Sequence, residues 1–317
     1  MKDYFKFNLK AQKLLSVWIT FLVLFMVPYV YLIVRTKDFI DPHHPLSILG
    51  FYGIIILLLI IAYAIIFYLI KLTIEGVEFK GNQFEFEGTF GDFMGQLILG
   101  LFLTIITLGI YSPWFITRIH KFFVDNTSHD SNELNFEGSA GKLFKILFFT
   151  TFLPIMALMI GMIYVGFKGY HTNPTAYGMS TNLITFLILI PYMYYFYKWV
   201  VNVTYKAYTI SWETSFWHSC GKILLEVFLS VITLGIYYPY AILRLYQYFV
   251  GKTFAVSLTS KKGFGYDLEA REDFLFVWGQ LLLTIITLGI YYPWAFCKVS
   301  SRILGKTYTQ ELAEEIA

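Results

Sequence analysis

Charged residues are scarce in this chain of 317 residues: Asp, Glu, Lys and Arg make up 14% of it, against about 25% in soluble domains. The net charge is only +3, which gives no support to nucleic-acid binding. The two cysteines, Cys220 and Cys297, form no Cys-x-x-Cys pair, so neither a disulfide framework nor a cysteine metal site is expected. The nucleophile elbow, the P-loop, the dinucleotide-binding fingerprint and the His-Glu-x-x-His motif are also missing. The sequence therefore predicts no enzyme and no cofactor.

Apolar residues are abundant instead, at 57% of the chain, and they come in long runs. Leu14–Val34 and Leu46–Ile70 carry no charge and reach the length of about 20 residues that a membrane-spanning helix needs. Further apolar runs lie at Ile146–Phe167 and Leu183–Tyr197. The lysine-rich N-terminus resembles a signal peptide, but the run after it is too long and lacks a cleavage site. We therefore expect an uncleaved first span and a polytopic membrane protein in contact with the lipid bilayer.

One string of nine residues, Leu-Thr-Ile-Ile-Thr-Leu-Gly-Ile-Tyr, occurs at Leu103–Tyr111 and again at Leu283–Tyr291, with a close relative at Leu229–Tyr237. Each copy holds a glycine and is followed by a proline, and both residues interrupt helices. We therefore predict a sharp helix break at the tip of each copy. The predicted tip residues are Gly109 with Pro113, Gly235 with Pro239, and Gly289 with Pro293.

A longer repeat links the two halves of the chain at a spacing of about 126–129 residues. Lys13-Leu14 corresponds to Lys142-Leu143, and Phe67-Tyr68 corresponds to Phe196-Tyr197. The sequence thus divides into membrane repeat 1 (1–134), membrane repeat 2 (135–268), and a segment (269–317) with the third copy of the nine-residue element and the C-terminal tail.

Short polar segments between the apolar runs alternate apolar with charged or polar residues, as half-buried strands do. They lie at Val77–Lys80, Phe84–Glu87, Leu134–Glu137 and Tyr208–Trp212. Two interpretations remain open: short β-ribbons beside the membrane, or irregular loops whose aromatic residues anchor at the interface.

The positions of Lys and Arg predict the topology, because cytoplasmic loops carry these residues in excess. If every apolar segment crossed once, the 24 basic residues would divide equally between the two sides. If each nine-residue element returned to the side from which it entered, only Arg35, Lys37 and Lys168 would lie outside. We therefore expect re-entrant hairpins of half-helices, or one membrane helix followed by an interfacial helix, with both termini cytoplasmic.

The expected fold is an all-α polytopic membrane protein: a duplicated helical bundle with re-entrant half-helix hairpins and short cytoplasmic β-ribbons. Thr107–Tyr111 is followed by Trp114, Arg118 and Asn126-Thr127, with weaker matches at Asn202-Val203-Thr204 and Lys252-Thr253. In these residues the chain resembles the YjgN family, bacterial inner-membrane proteins of unknown function, over most of its length from about Val77. The resemblance implies a bacterial inner (plasma) membrane location and no particular activity.

Glu226 is the one acid well inside an apolar stretch of a repeated element, and its equivalents in the other copies are Gly100 and Gln280. Arg244 falls at a similar depth on the opposite arm, and Lys222 lies four residues earlier on the same helix face. An ion pair that locks the hairpin is the favoured interpretation, and a proton relay is the alternative.

The bases Arg118, Arg244 and Lys298 occupy the same place in the three copies. They could bind an anionic solute or lipid headgroup, or they could reach the membrane surface and fix the topology. Two loops with His43-His44 and His171 could bind a transition metal, although solvated turns are the favoured interpretation.

Internal repeats and broken helices are typical of transporters. The leading functional hypothesis is therefore permease-like or channel-like passage of a small solute or lipid. The alternative is a membrane scaffold, or a protein that handles envelope lipids through its cytoplasmic ribbons. Either kind of protein could form a homo-oligomer.

Overall fold

The computed structural model describes residues 1–39, 45–167 and 174–312, without the side chains of residues 37, 38, 45, 165–167 and 174–183. The alternating segments are strands, but they do not form separate ribbons. They close into a single antiparallel barrel. The expected all-α bundle with short ribbons is therefore wrong. The sequence pattern marked four of the described strands as candidates and missed the others, and barrel closure depends on pairing between strands that are far apart in the chain.

The barrel consists of strands that pair antiparallel with their neighbours in chain order, and the last strand returns to the first. Lys2 lies opposite Gln310 at this closure, and Tyr4 lies opposite Tyr308. No described barrel strand is left with a free edge, which removes the usual template for unwanted strand pairing. The strands are β1 (Lys2–Phe7), β2 (Val77–Phe79), β3 (Asn82–Phe86), β4 (Thr127–His129), β5 (Asn132–Phe136), β6 (Val203–Tyr205), β7 (Tyr208–Trp212), β8 (Thr253–Val256), β9 (Lys261–Tyr266) and β10 (Thr307–Leu312).

Helices occupy every second connection between strands. Three connections are short hairpins of two helices: α5 (Phe90–Ile106) with α6 (Ser112–Asp125), α10 (Phe216–Ile232) with α11 (Tyr238–Gly251), and α12 (Ala270–Ile286) with α13 (Tyr292–Gly305). The two longer connections are α1 (Ala11–Phe21), a π-helical turn (Leu22–Met26), α2 (Val27–Val34), α3 (Thr36–Phe39) and α4 (Pro45–Glu75); and α7 (Ala140–Leu147), a second π-helical turn (Phe148–Phe152), α8 (Leu153–Phe167) and α9 (Pro174–Val200).

The helical connections follow the circular order of the strands. Helix α4 packs on α5, α6 on α7, α9 on α10, α11 on α12, and α13 packs back on α1. The described part of the chain is thus a closed ring of five units, each with a strand, a helical connection and a returning strand. The nine-residue element marks only three of these units.

Each strand that leads into helices ends on a buried aromatic residue. We call these five residues, each at most 6% exposed, the aromatic collar: Phe7, Phe86, Phe136, Trp212 and Tyr266. In each unit the backbone N–H of the residue after the collar donates to the carbonyl of the residue before the returning strand, at 2.7–3.0 Å. These five bonds join Asn8 to Gly76, Glu87 to Asn126, Glu137 to Asn202, Glu213 to Lys252, and Asp267 to Lys306. They extend each strand pair to the base of its helices.

Three helical segments of the described residues are long and apolar enough to cross a membrane: Ala11–Val34, Leu46–Glu75 and Ala140–Tyr164. At most 22% of the most apolar stretch of each is buried inside the protein. Their apolar surfaces are therefore largely uncovered, which is compatible with a membrane location. Phe90–Ile106 and Ile184–Val200 are shorter apolar helices. The histidines of the suggested metal site, His43, His44 and His171, lie outside the described residues.

Replacing Gly138 by alanine should lower the midpoint of thermal unfolding of the full chain in detergent. A Cβ at this position would lie 2.1 Å from Cζ of Phe136 in the collar, and overpacking of this kind costs about 1–3 kcal/mol. Gly141 is a matched control, since a Cβ there meets nothing within 4 Å. Gly141→Ala should leave the midpoint unchanged or raise it, because alanine favours helix over glycine by about 1 kcal/mol. Equal midpoints for the two variants would contradict the packing of Phe136.

Candidate functional site

Glu226 lies fully buried on α10 at the centre of a charged cluster. Its Oε1 is 2.6 Å from Nζ of Lys222 and 3.2 Å from Nε of Arg244 on α11. The hydroxyl of Tyr237 donates to Oε2 at 2.8 Å, and Arg244 donates to the same hydroxyl at 3.3 Å. Both bases suggested by the sequence thus contact the carboxylate. Tyr237, which sequence reasoning did not single out, completes the cluster from the nine-residue element itself.

The nine-residue element folds this way because its threonine and glycine shape the tip. Thr233 donates its hydroxyl to the carbonyl of Leu229 and accepts the backbone N–H of Tyr237 at 3.0 Å. Leu234 and Gly235 then adopt positive φ angles of 50° and 85°, the left-handed conformation that commonly ends helices. The same bonds and angles recur at Thr107 and Thr287, with φ of 91° at Gly109 and 87° at Gly289.

The prolines that follow begin the second helix of each hairpin. Pro113, Pro239 and Pro293 lie within the first two positions of α6, α11 and α13. Proline is suited to this place because its missing N–H would have no helical partner there. All three prolines are buried. Each predicted tip residue is therefore at a helix end, and the tyrosine of the element is carried back towards the first helix.

The three short hairpins hold different chemistry at equivalent positions. In α12 and α13, Tyr291 donates to Oε1 of Gln280 at 3.0 Å, and Lys298 donates to the Tyr291 hydroxyl at 2.9 Å. In α5 and α6, the position belongs to Gly100, where a Cβ would lie 2.0 Å from the ring of Phe115. The carboxylate is thus replaced by an amide in one hairpin and by an aromatic ring in the other.

Arg118 has no carboxylate partner among the described residues, and its side chain is exposed. It lines a cavity of about 410 Å³ with Gln96, Lys121 and Asp125. The Oε1 atom of Gln96 is buried without a hydrogen-bond partner in the described part of the chain. Lys298 lines a separate open cavity of about 670 Å³ that also contains Gln280 and Arg302. The bases suggested by the sequence therefore do not meet in one common site.

The Glu226 cluster is electrostatically complete. Its carboxylate receives two cations and one hydroxyl, so it meets the requirement that a buried charge be paired and hydrogen-bonded. This arrangement can hold α10 against α11. The described contacts offer Glu226 no further polar partner to which a proton could pass.

A second buried acid, Asp273, holds the base of the third hairpin in the same way. Its Oδ1 is 2.6 Å from Nε of Arg302 and 2.7 Å from Nζ of Lys306, and its Oδ2 accepts from the backbone of Glu269. The hydroxyl of Tyr266, in the aromatic collar, is 3.3 Å from Oδ2. Burial raises the pKa of Tyr266, with the nearby carboxylate adding to this effect. Asp273 precedes its bases by more than 25 residues, so sequence spacing gave no signal for this cluster.

The barrel contains a cavity of about 230 Å³ at the end away from the helices. Its wall includes Phe79, Tyr205, Phe264 and His129. Nε2 of His129 donates to the carbonyl of Phe79 at 3.0 Å, because a carbonyl can only accept, and Nδ1 pairs with the Tyr205 hydroxyl at 2.8 Å.

The rim of this cavity is charged. Asp130 and Lys206 pair at 2.7 Å, and the ammonium of Lys206 lowers the pKa of the Asp130 carboxyl. Hydrogen bonds from Ser260 and Lys262 lower the pKa of the Tyr208 hydroxyl. Sequence reasoning missed this site, because its residues come from separate strands of the barrel.

Two further cavities lie where the helices of each long unit meet a strand of the next unit. One of about 570 Å³ is lined by Lys10, Lys13, Glu75, Glu85 and Glu87, and we call it the mixed cavity. The other, of about 420 Å³, lies between α7, α9 and β7 and is called the lysine cavity. Its charged and indole side chains are Lys142, Lys145, Lys198, Trp199 and Trp212.

Comparison with known proteins places residues 81–254 in a family described as bacterial proteins of unknown function, DUF898. The match covers more than half of the chain. The chain belongs to this family. The resemblance to the YjgN family inferred from the sequence is thereby confirmed. No curated protein and no solved structure matches the chain.

The matched region runs from the turn after β2 into β8. It therefore contains the first two short hairpins, the Glu226 cluster and the lysine cavity, whereas Lys298 and Asp273 lie beyond it.

Replacing Glu226 by glutamine should lower the thermal unfolding midpoint of the full chain in detergent. Without the carboxylate charge, Lys222 and Arg244 would face each other unpaired, and losing hydrogen bonds to a charged group costs about 2 kcal/mol. Gln280→Glu is the matched control, because it adds a carboxylate beside Tyr291 and Lys298 at the equivalent position. We expect that variant to change stability by less than about 1 kcal/mol. Wild-type stability of Glu226→Gln would show that the cluster does not hold the hairpin.

Proposed function

We propose that this protein is a multi-pass protein of the bacterial inner membrane, with its barrel and both termini in the cytoplasm. The unequal division of Lys and Arg supports this orientation, since only Arg35, Lys37 and Lys168 would then lie outside. The uncovered apolar surfaces of the long helices support it as well.

Closure of the barrel supports the return of every helical connection to its starting side. Helices α5 and α6 leave the barrel at Phe86 and rejoin it at Thr127, and these two residues lie opposite each other in adjacent strands. The connections at Trp212 and Thr253, and at Tyr266 and Thr307, have the same relation. On this proposal the two long connections cross the membrane and return, whereas the three short hairpins enter it from the cytoplasm.

Labelling of single cysteines tests this topology in a chain without its native cysteines. Cysteines at Glu85, Asn135 and Gln310, in three different barrel strands, should all react with a membrane-impermeant reagent only from the cytoplasmic side. A cysteine at Asp41, between the first two apolar runs, should react only from the opposite side. Labelling of position 135 from the side of Asp41 would contradict the proposal, because the first short hairpin would then have to cross the membrane.

We further propose that the protein acts on the lipid bilayer itself and eases the movement of lipids between its leaflets. The observation that carries this proposal is the set of three short hairpins with apolar tips. Leu108, Leu234 and Leu288, the tip leucines, are 93%, 92% and 90% exposed. Such exposure is unfavourable in water but suits the interior of a bilayer.

The length of the hairpins suggests how they would act. Helix α5 has 17 residues and α6 has 14, which correspond to about 25 Å and 21 Å. The hydrocarbon core is about 30 Å thick. Segments shorter than the core are accommodated by local thinning of the bilayer. Because all three hairpins are attached to one closed barrel, they would thin the same patch of membrane and lower the barrier for headgroups.

Passage of a small solute, the leading hypothesis from the sequence, has less support. A path along the barrel axis would have to pass the buried collar residues, including Phe136 and Trp212. The carboxylate of Glu226 is buried and fully paired, so it offers no binding group to a moving ion. Support for a scaffold that acts through aromatic ribbons is also weaker, because the barrel turns most of its aromatic rings inward.

Reconstitution in vesicles with a fluorescent phospholipid tests the lipid activity. An added membrane-impermeant reductant quenches only the outer leaflet unless lipids exchange. With the protein present, quenching should proceed to the inner-leaflet label. The triple variant Leu108→Asp, Leu234→Asp, Leu288→Asp should lose most of this effect, because a carboxylate at each tip opposes insertion.

Leu258 provides the matched control for the tip variant. It is fully exposed as well, but it lies in the β8–β9 loop at the other end of the barrel. Leu258→Asp should leave lipid exchange unchanged. Quenching no faster than in protein-free vesicles, with the protein properly inserted, would overturn the proposed activity. Entry of a small fluorescent solute without lipid exchange would favour the permease hypothesis.

A further inference from the structure

We propose that the lysine cavity is a binding site for the headgroup of an anionic phospholipid of the cytoplasmic leaflet. This inference deepens the proposed function and rests on its placement of the barrel beside the inner membrane. The site differs from the tip of each hairpin and from the Glu226 cluster, and it lies between the second long unit of the ring and β7.

The cavity carries positive charge without compensation. Lys142 and Lys145 are exposed on one face of α7, and Lys198 is exposed in the last turn of α9. None of these three ammonium groups has an ion-pair partner in the described part of the chain, and no carboxylate lines the cavity. On the barrel, by contrast, Lys206 and Lys261 pair with carboxylates at 2.7 and 2.8 Å. Three unpaired cations around one cavity suit an anion.

The position of the lysines in the helices places them at headgroup depth. Lys142 and Lys145 lie in the first turns of the candidate span Ala140–Tyr164, and Lys198 lies just before the chain enters β6. Tyr195 and Trp199 line the same cavity, and such aromatic residues are enriched where membrane and water meet. A site at this depth is open to lipids of the adjacent leaflet.

The wall of the cavity also includes two indole side chains. Trp212 is 1% exposed, and its indole N–H has no hydrogen-bond partner in the described part of the chain. The indole of Trp199, on the same wall, donates to the carbonyl of Ser139 at 3.0 Å. The two indoles thus form an aromatic wall beside the lysines of the cavity.

The mixed cavity in the first half of the chain occupies the equivalent place and has the opposite character. Lys13 corresponds there to Lys142, and Phe86 of the collar corresponds to Trp212. Glu85 stands where the lysine cavity has Ser211, and Glu75 and Glu87 add two further acids. Its lysines therefore already have carboxylates nearby. The ring thus offers one cavity suited to an anion and a similar cavity that is not.

The bound group is a phosphate diester with a net negative charge, as in phosphatidylglycerol. Three lysines distinguish it from zwitterionic phosphatidylethanolamine, whose amine would be repelled. A lysine near a membrane surface contributes about 1 kcal/mol to binding of anionic lipid, which corresponds to about fivefold in affinity. Loss of all three should therefore weaken binding about 100-fold.

Displacement of a fluorescent phosphatidylglycerol from the full-length protein in neutral detergent tests the site. Unlabelled phosphatidylglycerol should displace the probe, whereas phosphatidylethanolamine should be much weaker. The variant Lys142→Gln, Lys145→Gln, Lys198→Gln should weaken binding about 100-fold. The control variant Lys10→Gln, Lys13→Gln, in the mixed cavity, should retain the wild-type affinity.

Variants with a single substitution keep the proposal testable if the triple variant does not fold. Lys198→Gln alone should weaken binding about fivefold. Lys145→Gln alone should have an effect of the same size. Equal affinity of the wild type and the lysine variants would overturn the proposal.

Two further outcomes concern the ligand and the proposed function. Displacement by glycerol 3-phosphate as effective as that by phosphatidylglycerol would assign the cavity to a soluble phosphate and overturn the lipid site. Lysine-dependent lipid binding without lipid exchange in vesicles would support the site and remove only the proposed activity. Lipid exchange together with lysine-independent binding would remove only the site.

Discussion

Pairing of the first strand with the last is the interaction on which this structure depends. Lys2 lies opposite Gln310 and Phe5 opposite Phe79, so β1 joins the two ends of the sheet. Closure satisfies the backbone groups of both edge strands and fixes the order of all helical connections around the ring. A barrel strand needs about 4.8 Å of the circumference, whereas a packed helix needs about 8–10 Å. The helices must therefore diverge from the barrel, and the spaces left between them account for cavities at the junction.

The junction itself is built the same way in every unit. A collar aromatic such as Phe86 fills the space where strand and helices meet, and the next backbone N–H bonds across to the returning strand. Around Phe86, the rings of Phe67, Phe93, Phe122 and Phe123 form a continuous aromatic core. Large rings suit this place because few residues must cover a wide gap. The polar side chains around the collar differ from unit to unit, and these differences give each cavity its own charge.

Charged side chains are arranged differently in different parts of the molecule. Glu226 and Asp273 are buried, and each is matched by two bases within 3.2 Å. The lysines of the lysine cavity are exposed and have no such partner among the residues that the structure describes. The paired acids stabilise helix pairs, whereas the positive charges of the unpaired lysines can attract an anionic ligand. The same residue types therefore serve packing in one unit and, on our proposal, recognition in another.

The sequence determined part of the local structure. Period-two alternation marked Phe84–Glu87 and Tyr208–Trp212 as strands or irregular loops, and the structure shows strands there. The Thr-Leu-Gly-Ile-Tyr element predicted the helix breaks. The Lys222–Glu226 contact could be anticipated because it spans one helical turn. The sequence also pointed to the right family through the residues around Thr107 and Trp114.

Only the tertiary structure decided how these elements combine. The sequence did not reveal the collar, because its aromatic residues recur at unequal intervals along the chain. They also belong to five units, and the nine-residue element marks only three of these. His129 with Tyr205, and Asp273 with Arg302, come together from distant parts of the chain. Barrel closure between Tyr4 and Tyr308 has no local signature at all. Hydrogen bonds between strands depend on position in space, so a pattern along the chain can predict a strand without revealing its partner.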